Sequence, residues 1–259
     1  MTIYLCPHLA TAERTAIAKS AAACLEDMGI RVLMSAEDSI RLYGNAGHAG
    51  DLQDTEMVVS VGGDGAVLRA AKKAVSAGLP LLGVNGGRLG FLCALEASEL
   101  PGLDKARLRA MPTEQRSILS VVIDGGNYLA LNDIVIARRR LAGTLSAAVH
   151  RDGRELMRFR GDGLIVATPT GSTAYSRSAG GPVLLPDTGC FTLTPICAHT
   201  PGITPLVVPD RGEYQVTVTD TGDDCADVLA DGVTIGSARS PLSVRRHRQA
   251  LALVRRSAG

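Results

Sequence analysis

The sequence predicts an α/β domain followed by a mainly β one. Three observations carry this. Apolar runs alternate with helix-like segments through the first third and twice end in glycine-rich turns. From about Ser117 onward, strand-like runs crowd together around Asp-Gly turns with little helix between them. A last apolar run, Leu251–Val254, stands where a strand could return to the first domain. Alternating strand and helix argues for a parallel sheet flanked by helices, and close-set strands with turn residues argue for an antiparallel fold.

Ile3–Cys6 is a short apolar strand, and the Ala-rich Thr11–Met28 reads as a helix stopped by Gly29. Ile30–Met34 is the next strand. The β-branched run Met57–Val61 leads straight into Gly62-Gly63-Asp64-Gly65, the helix Ala66–Ala77 closes at Gly78, and Leu79–Val84 is a further strand. Beyond Ser117, Ser120–Ile123 and Tyr128–Leu131 flank the turn Asp124-Gly125-Gly126-Asn127. Ala147–His150 and Leu156–Phe159 flank Arg151-Asp152-Gly153-Arg154. Gln215–Thr219 and Asp227–Ala230 continue the pattern to a turn at Asp231-Gly232.

Composition narrows the function. The 259 residues carry 27 Lys plus Arg against 26 Asp plus Glu, so neither nucleic acid nor an anionic membrane is expected to be held by bulk charge. Aromatic residues make up 3% with no Trp, which argues against base stacking on an aromatic platform. No apolar stretch approaches the roughly 18 residues of a membrane span, and the start lacks the pattern of a secretory signal. The cysteines, Cys6, Cys24, Cys93, Cys190, Cys197 and Cys225, form no C-x-x-C pair, so reduced, mostly buried thiols in a cytoplasmic protein are expected.

Four segments carry chemistry. In Val61-Gly62-Gly63-Asp64-Gly65 a strand ends in glycines and opens a helix, presenting free backbone N–H groups suited to phosphate, with Gly62, Gly63 and Gly65 letting it approach. An Asp there repels anions unless it partners magnesium or acts as base toward a hydroxyl attacking a phosphoryl group. A tight strand-to-helix turn with a capping Asp is the structural alternative. The second segment, Gly83-Val84-Asn85-Gly86-Gly87-Arg88-Leu89-Gly90-Phe91-Leu92, follows a strand and so shares the sheet's carboxyl edge, where open α/β sheets bind ligands, with an ordinary glycine-rich loop as the alternative. In the third, the apolar run Gly163–Ala167 enters Thr168-Pro169-Thr170-Gly171-Ser172-Thr173-Ala174-Tyr175-Ser176, whose hydroxyls and backbone suit a ribose and an adenine edge, the alternative being a polar turn region that caps its own backbone. In the fourth, Leu131-Asn132-Asp133-Ile134, a carboxylate can accept from both hydroxyls of a ribose, although taken alone the segment is better explained as a bulge or turn pair. There is no G-x-x-x-x-G-K-[ST], G-x-G-x-x-G or G-x-S-x-G.

Taken in order, VGGDG, GVNGGRLGFL, ALNDIVI, DGLIVATPTGSTAYSRSAGGPVL and LTPICAH resemble the NAD kinase family across residues 61–199. The DGLIVATPTGSTAY stretch is specific, whereas GGDG is shared with diacylglycerol and sphingosine kinases and phosphofructokinases. The resemblance implies a Rossmann-like α/β domain over 1–112, completed by about 240–259, and a β-sandwich over 113–239. It implies transfer of a phosphoryl group from ATP, or in some members polyphosphate, to the 2′-hydroxyl of the adenosine ribose of NAD, giving NADP. It further implies Mg²⁺ or another divalent metal arriving with ATP, and a homodimer or homotetramer.

Residue roles follow from the same resemblance. Asp64 is the general base, or orients the attacking oxygen. Gly65 shapes the phosphate pocket, Arg69 reaches a substrate phosphate and Phe91 forms an apolar wall. Asn132 and Asp133 take the adenylate half of NAD. Arg160 and Asp162 fall where the family contacts the nicotinamide end, often across a subunit boundary. Thr173, Ala174, Tyr175 and Ser178 line the adenine and ribose pocket. Three positions depart from the pattern. Gly143, eleven residues after Asn132, replaces a polar residue, Thr204 replaces an Arg, and Val233 replaces the Gln of an Asp-Gly-Gln run.

Overall fold

The computed structural model describes residues 1–87, 90–140, 143–219, 226–238 and 241–256. Arg88 and Leu89 of the second glycine motif, and Cys225, lie outside them. The chain forms two compact units, Met1–Gln115 with Leu251–Gly259, and Arg116–Ala250.

The first unit opens with β1 (Thr2–Pro7), α1 (Ala12–Asp27), β2 (Arg31–Leu33) and α2 (Ala36–Tyr43). It continues through β3 (Met57–Gly62), α3 (Asp64–Ala77), β4 (Leu81–Asn85), β5 (Leu95–Glu96), α4 (Lys105–Ala110) and β6 (Thr113–Arg116). The strands run in the order β2-β1-β3-β4, then the tail strand Leu251–Val254, then β6, with β5 also paired to β4. The tail strand joins in parallel, Leu253 opposite Leu81. Helix ends follow local chemistry. The Thr11 hydroxyl accepts from the Arg14 N–H at the start of α1, and left-handed Gly78 closes α3. α2, for which the apolar pattern gave no expectation, is started by Ser35 accepting from the Asp38 N–H and ended by left-handed Gly44. Val59, Val61, Leu82 and Val84 pack with Ala18, Ala22 and Leu25 of α1 in one buried core. The alanines keep that face of the helix short, so it lies close on the sheet.

This strand order places a switch point between β1 and β3. The chain leaves β1 toward β2 on one side and returns to β3 on the other, which opens a crevice at the carboxyl ends of these strands. Gly62 at the end of β3 stands opposite Asn85 at the end of β4, so both glycine motifs emerge side by side at that edge.

The second unit holds two antiparallel six-stranded sheets. Its strands are β7 (Leu119–Ile123), β8 (Gly126–Ala130), β9 (Asp133–Arg138), β10 (Leu145–Arg151), β11 (Arg154–Gly161) and β12 (Gly163–Ala167). After the short helix α5 (Tyr175–Ser178) come β13 (Cys190–Ile196), β14 (Leu206–Pro209), β15 (Glu213–Thr219), β16 (Ala226–Ala230), β17 (Val233–Ser237) and β18 (Leu242–Arg246). One sheet runs β11-β10-β15-β18-β7-β8 and the other β14-β13-β12-β9-β16-β17. Alternate side chains of both, among them Val121, Val149, Phe159 and Tyr214 against Ile134, Leu164, Val166 and Phe191, fill one core, which makes the unit a sandwich. The three Asp-Gly turns at 124–125, 152–153 and 231–232 each hold both residues at positive φ, the geometry of tight two-residue hairpins.

Two expectations about the boundaries change. Thr113–Gln115 belongs to the first unit, and Leu242–Arg246, expected in the returning tail, pairs instead with β7 and β15 in the sandwich. Ser120 stands opposite Arg245, so the partner that claims this strand lies over a hundred residues away, and no local pattern names it.

Candidate functional site

In the first unit the site is built on Asp64, the first residue of α3. Its Oδ2 accepts from the Phe91 backbone N–H at 2.9 Å and its Oδ1 from the Leu92 N–H at 3.1 Å. The second glycine motif thus binds the carboxylate of the first. Gly90 permits this, because a Cβ there would stand 2.1 Å from Asp64 Oδ1. Each carboxylate oxygen keeps lone-pair capacity for a substrate hydroxyl. Asn85, buried at the end of β4, donates to both Glu96 oxygens and to the Gly87 carbonyl, which fixes the start of the same loop.

Gly65 is exposed beside Asp64, and Arg69 lies one turn further along α3. Arg69 lines a cavity of about 340 Å³ at the switch point, together with His8, Arg41 and Lys73, faced by Asp38. Three full cations against one carboxylate give this cavity a positive balance that suits phosphate. Phe91 is 78% exposed, so the ring expected as an apolar wall stands free within its own unit. What Phe91 supplies there is its main-chain N–H, a contribution that motif spacing alone does not reveal.

The second unit's site centres on the turn Leu131-Asn132-Asp133. Asp133 opens β9 and is 5% exposed, while Asn132 is half-buried. Burial pushes the Asp133 carboxyl up to about 7, and the neighbouring Asp231 charge adds to the rise. Thr168 donates its hydroxyl to the Leu131 carbonyl at 2.6 Å and its N–H to the Asn132 carbonyl at 2.9 Å. Gly171 packs against the same turn, since a Cβ there would lie 2.1 Å from the Asn132 carbonyl oxygen. The hydroxyl-rich segment and the Asn-Asp turn are therefore one structure. Along it, Thr173 and Ala174 are half-buried, and Tyr175 and Ser178 are exposed on α5. Ile165 and Ala167 of β12 pack on Val135, Ile196 and Ala179, forming a small second core on the sheet's outer face beneath this segment. That explains why β12 reads as an unbroken apolar run rather than an alternating one.

Arg160 and Asp162 are not brought to this turn. Gly163 pairs with Ala137 and Ala167 with Asp133, so Asp162 stands at the opposite end of the β9–β12 pair, about 15 Å away. Its carboxylate meets Arg138 Nε at 2.7 Å, and the Arg160 guanidinium donates to the Thr144 hydroxyl. Gly143 adopts φ +88°, a backbone conformation that disfavours the side chain it replaces. Thr204 and Val233 are exposed. Burial raises the Cys6 thiol to about 11 and Cys93 to about 12, so both stay protonated.

Models of the ATP-NAD kinase C-terminal and N-terminal domains match residues 131–252 and 35–106. The NAD kinase of Bacteroides fragilis is 33% identical over 208 residues, covering 78% of this chain and 72% of that protein. The chain belongs to the NAD kinase family. The NAD kinase of Koribacter versatilis is 39% identical over 174 residues, covering 65% of this chain and 61% of its own length, so this alignment spans less than two thirds of that relative. Among solved structures, an NAD kinase from Archaeoglobus fulgidus in complex with ATP matches with a TM-score of 0.77 at 28% identity, covering 99% of this chain and 94% of that one. Yeast NADH kinase complexed with NADH matches with a TM-score of 0.83 at 22% identity, covering 99% and 84%, a likeness of fold. The Asp231 carboxylate accepts from the Leu131, Asn132 and Asp133 backbone N–H groups, a contact that motif reading does not supply. A carboxylate in a tight turn, matching a family run apart from its last residue, was the available signal.

Proposed function

We propose that this chain transfers a phosphoryl group from ATP to the 2′-hydroxyl of the adenosine ribose of NAD, giving NADP. Asp64 carries the reading. It is a carboxylate at a helix start on the ligand-binding edge of the sheet, oriented by two backbone N–H groups and, among the described residues, without an ion pair. A ribose hydroxyl is a weak nucleophile, so it needs a positioned acceptor for its proton. In the step, the 2′-oxygen forms a bond to the γ-phosphorus as its proton passes to Asp64. The bond to the bridging oxygen breaks, and ADP leaves with the electron pair.

The other residues divide by chemistry. Asn132 and Asp133 hold the adenylate half of NAD, with Thr173, Ala174, Tyr175 and Ser178 along the adenine and ribose. Gly63 and Gly65 leave room for phosphate, whereas Gly62 is buried with Ala66 and His8 packed where its Cβ would stand, and Arg69 with Arg41 and Lys73 neutralises the phosphate. Phe91 offers an apolar wall to the nucleotide. Arg160 and Asp162 serve the nicotinamide end of NAD bound to a partner copy, since both lie far along the sheet from Asp133.

The divalent ion belongs to the donor. Among the described residues no group of three or more His, Cys, Asp or Glu side chains is placed to hold a metal. A divalent ion brought by ATP would offset charge on the donor phosphates. A homodimer or homotetramer fits the exposed apolar residues Val183, Leu185 and Val207 of the second unit. A cytoplasmic setting fits the free thiols of Cys6, Cys24, Cys93, Cys190 and Cys197. No described helix is long and apolar enough to cross a membrane.

The test is a coupled assay of NADP formation with Mg²⁺, run with ATP and then polyphosphate, on NAD and then NADH. NADP formation from NAD and ATP is expected. Tight NAD binding without turnover under several divalent metals identifies a silent binder instead, and phosphorylation of diacylglycerol or sphingosine identifies a lipid kinase.

A further inference from the structure

Asp231 makes an unusual set of contacts for a turn residue. Its carboxylate accepts from three successive backbone N–H groups, Leu131 at 2.9 Å, Asn132 at 2.7 Å and Asp133 at 3.3 Å. Its own N–H donates back to the Asp133 carbonyl at 3.0 Å. The two segments are about a hundred residues apart in sequence, yet they are locked together at both ends of one residue.

The hairpin itself does not require this. Asp231 has φ +50°, a conformation that Asp, Asn and Gly all adopt. Asp152 fills the same place in its own turn, at φ +51°, with its side chain 80% exposed. The arrangement is also unfavourable in one respect, because it sets a second carboxylate beside buried Asp133. A costly placement that satisfies three main-chain donors marks a constraint other than folding of the turn.

We propose that Asp231 is the positioning residue of the NAD-binding turn, holding the Leu131–Asp133 main chain so that Asn132 and Asp133 present their side chains to the nucleotide. This rests on the reading of Asn132 and Asp133 as the adenylate contacts. Two carboxylate oxygens can take all three N–H groups, whereas an amide offers a single oxygen and turns an N–H₂ toward the remaining donors. Thr168 and Gly171 brace the turn on its carbonyl side, and Asp231 braces its N–H side.

The experiment compares D231N with the parent in steady-state kinetics, varying NAD and ATP separately. D231N keeps the size and turn preference of the residue and replaces one of the two accepting oxygens with an N–H₂ donor. KM for NAD is expected to rise roughly tenfold or more, while KM for ATP stays within twofold and kcat falls by less than KM rises. A merely structural loss would lower the active fraction and leave that split between substrates unmoved. KM for NAD within twofold of the parent in folded D231N overturns the proposal. D231G, also compatible with the left-handed turn, repeats the measurement should D231N fail to fold. Loss of folding in both overturns the proposal in favour of a purely architectural residue. N132A and D133A run in parallel separate the two levels. If neither raises KM for NAD, the adenylate reading of this turn fails. If they raise it and D231N does not, only the role of Asp231 fails.

Discussion

The Asp64 carboxylate is held by the backbone N–H of Phe91, 2.9 Å from its Oδ2, with the Leu92 N–H on the other oxygen. The two glycine motifs, 27 residues apart at this contact, are therefore one device. The first supplies a carboxylate at the start of a helix, and the second fixes its direction.

Gly90→Ala tests that device without touching Asp64. The added Cβ falls 2.1 Å from Asp64 Oδ1, so the carboxylate must swing away from its two N–H partners. A displacement near 1 Å at the reacting group lowers kcat by about a hundredfold, with NAD affinity kept within a few-fold. Steady-state kinetics with a binding titration checks this, and parental kcat in a folded G90A protein contradicts it.

Asp133 gives the site a pH signature. With its carboxyl pushed up to about 7, it is protonated in the free protein below neutrality and ionised above. An ionised carboxylate accepts from both ribose hydroxyls, so NAD affinity is expected to strengthen from pH 6 to pH 8. Calorimetric titration at several pH values reads this, and a flat profile counts against Asp133 as the ribose acceptor.

The same group ties function to stability. Its folded-state pKa lies above the ordinary carboxylate value, so the folded protein holds this proton more tightly than the unfolded chain. Stability therefore falls as pH rises from about 4 to about 7, and the loss persists above 7. Asp133→Asn removes that dependence. The variant is expected to gain in Tm over the parent at pH 8 more than at pH 5 while binding NAD less well. An equal Tm difference at both pH values would show that burial of this charge costs nothing.

Gly171→Ala probes the brace on the carbonyl side of the turn. The new Cβ meets a main-chain oxygen at 2.1 Å, which cannot rotate away as a flexible side chain can. A loss of about 1–3 kcal/mol of stability is expected, together with weaker NAD binding. Urea unfolding and an NAD titration check both, and parental values in each would show that the close approach is not needed.

Much of this was legible in the sequence, for a physical reason. Strands ending in glycine, Ala-rich helices and Asp-Gly hairpins are encoded within a few residues, so β1 to β4 and the hairpin turns follow from local pattern. α2 is not visible in the apolar pattern because its eight residues, Ala36–Tyr43, form a short helix with three charged side chains, although Ser35 followed by Asp38 announces its start. Long-range choices were not legible. Nothing near Leu242 says that it joins the sandwich, and nothing near Asp231 says that its side chain serves a turn about a hundred residues upstream. Likewise Phe91 read as a ring, whereas its main chain is what meets Asp64.

The most direct measurement is the rate of NADP formation by Asp64→Asn beside the parent, with ATP, Mg²⁺ and NAD, and with NAD binding measured on the same samples. The amide keeps the size of the side chain but cannot take the hydroxyl proton. A fall of about a hundredfold to ten-thousandfold with NAD binding retained is the predicted result. NADP formation at the parental rate would contradict the role given to Asp64.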